Sequence, residues 1–227
     1  MIFVPFLINI IYHLSRNSIR NDRGDSMKKF LVYGLFVIIA AAGLAASSAL
    51  AAGPSFDCAK VEAGSIEEMI CNDPGLTALD VKLAEVYKEA LAKAANEHPP
   101  VLKAGQRGWI KGRDDCWKSD DKKKCVEDEY TRRIAELQAK YRLVKSTGPV
   151  FYSCDGNEAN EVVMAFFETA PPTLMAEYGD STSLMFLEPS GSGSKYEGRN
   201  ESAWIKGDDA LVVWGFEAPE MNCTVRK

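Results

Sequence analysis

From residue 64 to about residue 142, apolar positions recur at helical spacing. Leu76, Leu79, Leu83, Tyr87, Leu91 and Ala94 fall three and four residues apart and draw one stripe along a helix. Pro99-Pro100 breaks that run. Leu102, Gln106, Trp109, Arg113 and Cys116 then share one face of a second helix. The stretch KSDD at 118–121 reads as a turn, and Val126, Tyr130, Ile134, Leu137 and Tyr141 mark the inner face of a third. Three helices with short connections predict antiparallel neighbours in a small bundle.

KSTGPV (145–150) is a linker by composition. Beyond it the period changes to short β-rich runs: VFYSC, EVVMAFFET, TLMAEY, SLMFLE, AWIK, ALVVWGF and CTVRK. DGN, YGD, EGRN and KGDD punctuate them as turns. Many short strands at close spacing predict an antiparallel barrel or compact sandwich. The fold class is therefore α+β in separate domains, a helical one over 52–144 and a β one over 151–227.

The first 51 residues are expected to lie outside the mature protein. From Met27 a basic start, an apolar core and small residues lead to Ala49-Leu50-Ala51, an A-x-A cleavage site. Residues 27–51 read as a signal peptide and residues 1–26 as an upstream mis-start. A lipobox needs a Cys directly after the small residues, whereas Cys58 follows Phe56-Asp57. The expectation is a soluble, exported, periplasmic protein without a membrane anchor.

All six cysteines, at 58, 71, 116, 125, 154 and 223, follow that site. An even number in an exported chain reads as three disulfides. Cys154 in the first strand and Cys223 in the last could close the β part; the pairing of Cys58, Cys71, Cys116 and Cys125 stays open. With no C-x-x-C pair and His98 the one histidine after residue 51, zinc, Ser-His-Asp and Cys-His chemistry are all disfavoured. No cofactor or metal is expected.

Charge changes the picture when it is divided along the chain. Residues 52–145 carry 17 basic and 17 acidic side chains, and residues 146–227 carry 5 and 13. The net −8 thus belongs to the β part, which repels nucleic acid and anionic membrane and attracts cationic proteins. DDCWKSDDKKKC lacks the turn Gly and alternating ligands of an EF-hand loop. The Lys122–Lys124 run reads as a solvated helix start.

Two resemblances cover most of the chain after residue 51. Cys58, Ile70-Cys71 before DPGL, Asp80, Leu83, Tyr87, Gln106, Trp109, Arg113, Cys116, Cys125, Tyr130, Arg133 and Leu137 resemble the LprI-like lysozyme-inhibitor N-terminal family. An Asp80–Arg113 pair across the helical hairpin is expected there, as a structural contact. Ser192-Gly193-Ser194-Lys195-Tyr196, then six residues, then Ala203-Trp204-Ile205-Lys206-Gly207, resemble the MliC/PliC-type inhibitors of c-type lysozyme. YSCDG at 152–156 and Cys223 fit as well. Ala203 stands where that family prefers Phe, which thins local packing.

The second resemblance implies an eight-stranded barrel, pairing of Cys154 with Cys223, and c-type lysozyme, a cationic protein, as partner. It also implies that a loop carrying Ser192 and Gly193 enters the enzyme's cleft. There Ser192 and Lys206 would meet its two catalytic carboxyl groups, while Tyr196, Trp204 and Gly207 brace the loop. A Ser192–Lys206 nucleophile–base dyad would require a buried lysine, and Lys206 lies in a polar turn beside Asp208 and Asp209, so the protein is not expected to be an enzyme. An envelope or peptidoglycan-binding module would instead make the helical part the binding unit.

Overall fold

The computed structural model describes residues 53–226; the expected mis-start, the signal peptide and its cleavage site lie outside the described residues. Helix α1 (Ile66–Asn72) starts where Ser65 Oγ accepts from Glu68 N at 3.1 Å, while the Glu68 carboxylate accepts from Gly64 N at 2.7 Å. This is a variant of the reciprocal S-x-x-E cap. Helix α2 (Pro74–Lys93) follows at once, since Asp73 Oδ1 accepts from Gly75 N and Leu76 N and Pro74 takes the first helical position. The DPGL motif is thus a helix start. Helix α3 (Val101–Asp114) ends in a 3-10 turn, Asp115–Lys118, and Asp121 caps α4 (Lys122–Lys140) by accepting from Lys124 N.

Among the described residues there are therefore four α-helices, where the stripes drew three. Two of the stripes lie near the core but not all along it. In α2 the buried face runs through Leu76, Asp80, Leu83, Val86 and Ala90, leaving Leu79, Tyr87, Leu91 and Ala94 half-buried at its edge. A stripe drawn from apolar residues alone passes over Asp80. In α3 only Leu102 and Arg113 are buried. Disulfides tie Cys58 to Cys71 and Cys116 to Cys125, with sequence separations of 13 and 9. The first anchors the segment before α1; the second closes the α3–α4 corner of a thin core.

The β part is a closed antiparallel barrel in simple chain order: β1 (Ser146–Cys154), β2 (Asn157–Phe167), β3 (Thr173–Tyr178), β4 (Ser181–Glu188), β5 (Ser194–Glu197), β6 (Glu201–Lys206), β7 (Asp209–Trp214) and β8 (Glu220–Val225). β1 closes on β8 with Tyr152 opposite Val225 and Cys154 opposite Cys223, and the disulfide joins that last pair. Its 69-residue separation is worth roughly 4 kcal/mol in a chain-entropy account.

The barrel differs from the sequence expectation at two places. Residues 146–150 are not linker but the first half of β1, where Ser146 pairs with Phe167 and Val150 with Met164. Gly148, at φ +109, and Pro149 lie where the register shifts, so turn-like composition marks an irregular strand. Strand β5 lies inside the Ser/Gly stretch and was missing from the apolar runs; its one buried residue is Tyr196.

Inside the barrel, Val162, Met164, Leu174, Ala176, Met185 and Val212 are buried. The outer faces of β2–β4 are covered too. Ala165 and Phe167 pack with Ala139 of α4, flanked by Val144, Met175 and Leu184, and the Arg132 guanidinium lies 4.0 Å from the Phe186 ring centroid. The unbroken apolar run EVVMAFFET has this cause: both faces of its strand lose water. Bundle and barrel keep separate cores and meet along this seam.

Candidate functional site

The Ser/Gly loop joins β4 to β5 and rests on β6. Gly193 has φ +70, and a Cβ there would lie 2.4 Å from the Ile205 carbonyl oxygen and 2.8 Å from Lys206 Cγ. Any side chain is therefore excluded, and the loop backbone lies directly against Ile205-Lys206. Ser190 Oγ donates to Gly193 O at 2.9 Å, closing the loop on itself. Trp204 Nε1 donates to Ser192 O at 2.8 Å, and Lys206 Nζ stands 3.6 Å from the centroid of the same indole. One side chain thus fixes both the backbone of Ser192 and the ammonium of Lys206, and both of those residues are exposed.

The neighbouring predicted residues sit differently. Tyr196 points into the barrel, 7 % exposed, with the Phe166 ring 5.8 Å away; burial raises its phenol pKa. It pairs across the ladder with Ala203, which is fully buried. Gly207, at φ +63, is at the two-residue turn between β6 and β7, beyond the Lys206–Asp209 pair. Trp204 is the side chain that touches the loop; Tyr196 anchors the strand from within.

The helical part gathers its own motif. Asp80, Tyr87, Gln106, Trp109 and Arg113, drawn from α2 and α3, line one open cavity of about 770 Å³. The expected Asp80–Arg113 pair is not direct. Arg113 Nη1 donates to Tyr130 Oη at 3.0 Å, and Tyr130 Oη donates to Asp80 Oδ1 at 2.8 Å. The phenol reaches both charges because α4 packs against α2 and α3 alike. Arg113 Nη2 also donates to Glu67 at 2.9 Å and to Asp114 at 2.6 Å. Burial pushes the Tyr130 hydroxyl well above its ordinary range, outweighing the pull of Arg113. Gln106 accepts from Arg133 Nε at 3.0 Å, and Trp109 Nε1 donates to Glu129 O at 3.2 Å.

Comparison with known proteins gives two family matches in chain order. Residues 58–137 match the family described as lysozyme inhibitor LprI, and residues 152–221 match membrane-bound lysozyme-inhibitor of c-type lysozyme, MliC. The chain joins an LprI-type bundle to an MliC-type barrel. It is also 28 % identical over 153 residues to "Lipoprotein LprI" of Mycobacterium bovis and of two Mycobacterium tuberculosis strains, covering 67 % of this chain and 76 % of theirs. That match is longer than either family segment.

The LprI-type segment holds Cys58, Cys71, Cys116 and Cys125 and the five motif residues that line the cavity; the MliC-type segment holds the whole Ser192–Gly207 stretch. Arg133 appeared in the sequence pattern without a role, and Tyr130 only as an inner-face residue of its helix. The contributions of Glu67, Asp114 and the Ser55 backbone N–H, which donates to Asp80 Oδ2, had no local signal. Acids in first turns and helix ends are ordinary surface residues until the bundle closes over them. Among the described residues no cluster of His, Cys, Asp and Glu is arranged to hold a metal, and no helix is long and apolar enough to cross a membrane.

Proposed function

We propose that this chain is an exported, periplasmic inhibitor of c-type lysozyme whose barrel closes the enzyme's cleft with the Ser192–Gly193 loop and Lys206. The observation that carries this reading is the double role of Trp204, which holds Ser192 by a hydrogen bond and Lys206 by its ring face. A loop already fixed before contact loses little conformational entropy on binding. Retaining glycosidases of this type work with one protonated and one ionised carboxyl group. An ammonium set between them favours the ionised forms, and a serine hydroxyl takes up hydrogen-bonding capacity meant for sugar and water. The dyad reading fits less well, because a lysine that serves as a base is buried and Lys206 is exposed, with its ammonium on the open face of Trp204.

Lysozyme inhibition constants for the full chain and its variants test the proposal. Lys206→Ala should cost roughly 2–5 kcal/mol of binding, and Ser192→Ala about 1–3 kcal/mol. Added salt should slow association, since the acidic barrel steers towards a cationic enzyme. If both variants inhibit within twofold of the parent, the cleft-closing mechanism is wrong.

A further inference from the structure

The cavity of the LprI-type bundle is large, partly apolar and unused by the barrel mechanism. Phe56, Leu83, Tyr87, Trp109 and Ile110 supply its apolar walls. Its volume, about 770 Å³, lies in the range of ligand-binding clefts. Its charge is unbalanced: Asp57, Glu62, Glu67 and Asp80 line it against Lys60 and Arg113.

Arg113 is largely committed within the protein, since four of its five N–H groups already donate. Its Nε and Nη2 donate to Asp114, Nη2 also donates to Glu67, and Nη1 donates to Tyr130. Lys60 is held at the rim by Asp57 at 2.9 Å. Behind the wall, Asp114 has its carboxyl pKa raised, first by burial and further by Glu67, against the pull of Arg113. One guanidinium does not neutralise the acids around it. Aromatic and aliphatic walls over an acidic floor suit a long methylene stem ending in a cation.

We propose that this cavity receives a basic side chain, arginine or lysine, presented by a protein partner. The cavity is larger than one such side chain, which leaves room for the loop that carries it. The choice of a cationic protein as its source rests on the function proposed above. The bundle would then form a second attachment point, separate in chemistry from the Ser192–Lys206 loop.

The test uses the full chain and a probe that needs no lysozyme. The Trp109 indole N–H resonance is followed by two-dimensional NMR while N-acetyl-Gly-Arg-Gly-amide is added, with the citrulline peptide as its uncharged counterpart. The arginine peptide should shift the signal saturably, with the citrulline peptide at least about tenfold weaker. Glu62→Lys, at an exposed rim position, should weaken the arginine peptide by roughly tenfold. Equal response to the two peptides, or no response to either, overturns the proposal; so does response to neutral chitotetraose without response to arginine. Because this arm reads peptide alone, its result stands apart from whether Lys206→Ala relieves lysozyme inhibition.

Discussion

Tyr130 does at the residue scale what an ion pair was expected to do. Fully buried, it accepts from Arg113 and donates to Asp80, so two charged groups are satisfied through one hydroxyl. Its ring meets Trp109 edge-on at 5.1 Å, which fixes the cavity's back wall. Tyr130→Phe keeps the ring and orphans one oxygen of Asp80 and one donor of Arg113. A stability loss of about 1–3 kcal/mol is expected, read from urea unfolding. A loss below a few tenths would mean that water replaces the hydroxyl and that the cavity reaches further inward.

Element by element, glycine separates two kinds of position. Gly193 fits because its turn has positive φ and the Ile205 carbonyl lies against it. Gly108 and Gly112 in α3 have no such reason: both are exposed, and a Cβ added at either would meet nothing within 4 Å. Each therefore weakens α3 through backbone entropy alone. Gly108→Ala and Gly112→Ala should each add roughly 1 kcal/mol, whereas Gly193→Ala should displace the loop and weaken lysozyme inhibition. Thermal unfolding of the three variants, with inhibition measured alongside, checks both signs.

Across the whole molecule, the seam between α4 and strands β2–β4 matters most. A composition-based linker at 145–150 would be cut readily after Lys145. The structure gives that bond a different setting: Lys145 O accepts from Glu168 N at 3.1 Å, Val144 packs into the seam, and Ser146 is already paired in β1. Trypsin should therefore cut slowly at Lys145. Phe186→Ala removes the ring beneath Arg132 and should speed that cut, followed as a time course on gels. Equal rates for parent and variant would show that the seam does not hold the bundle to the barrel.

Much of this protein follows from local sequence. The change from helical to strand period and the DPGL helix start express short-range rules of backbone geometry and burial, whereas the Ser192-Gly193 and Trp204-x-Lys206-Gly207 spacings were legible only through the resemblance to MliC/PliC-type inhibitors. Local sequence also placed Cys154 and Cys223 in the terminal strands; only closure of the barrel puts them opposite one another. What tertiary structure alone decided lies where distant segments meet. Asp80 is buried because Tyr130, 50 residues later, and the Ser55 amide satisfy its oxygens. Residues 146–150 are strand because β2 offers them partners, although Gly148 and Pro149 read as a break. Periodicity reports which face of an element loses water; it carries no information on which polar groups will be paired once there. That pairing placed the motif residues of α2 and α3 around one acidic cavity.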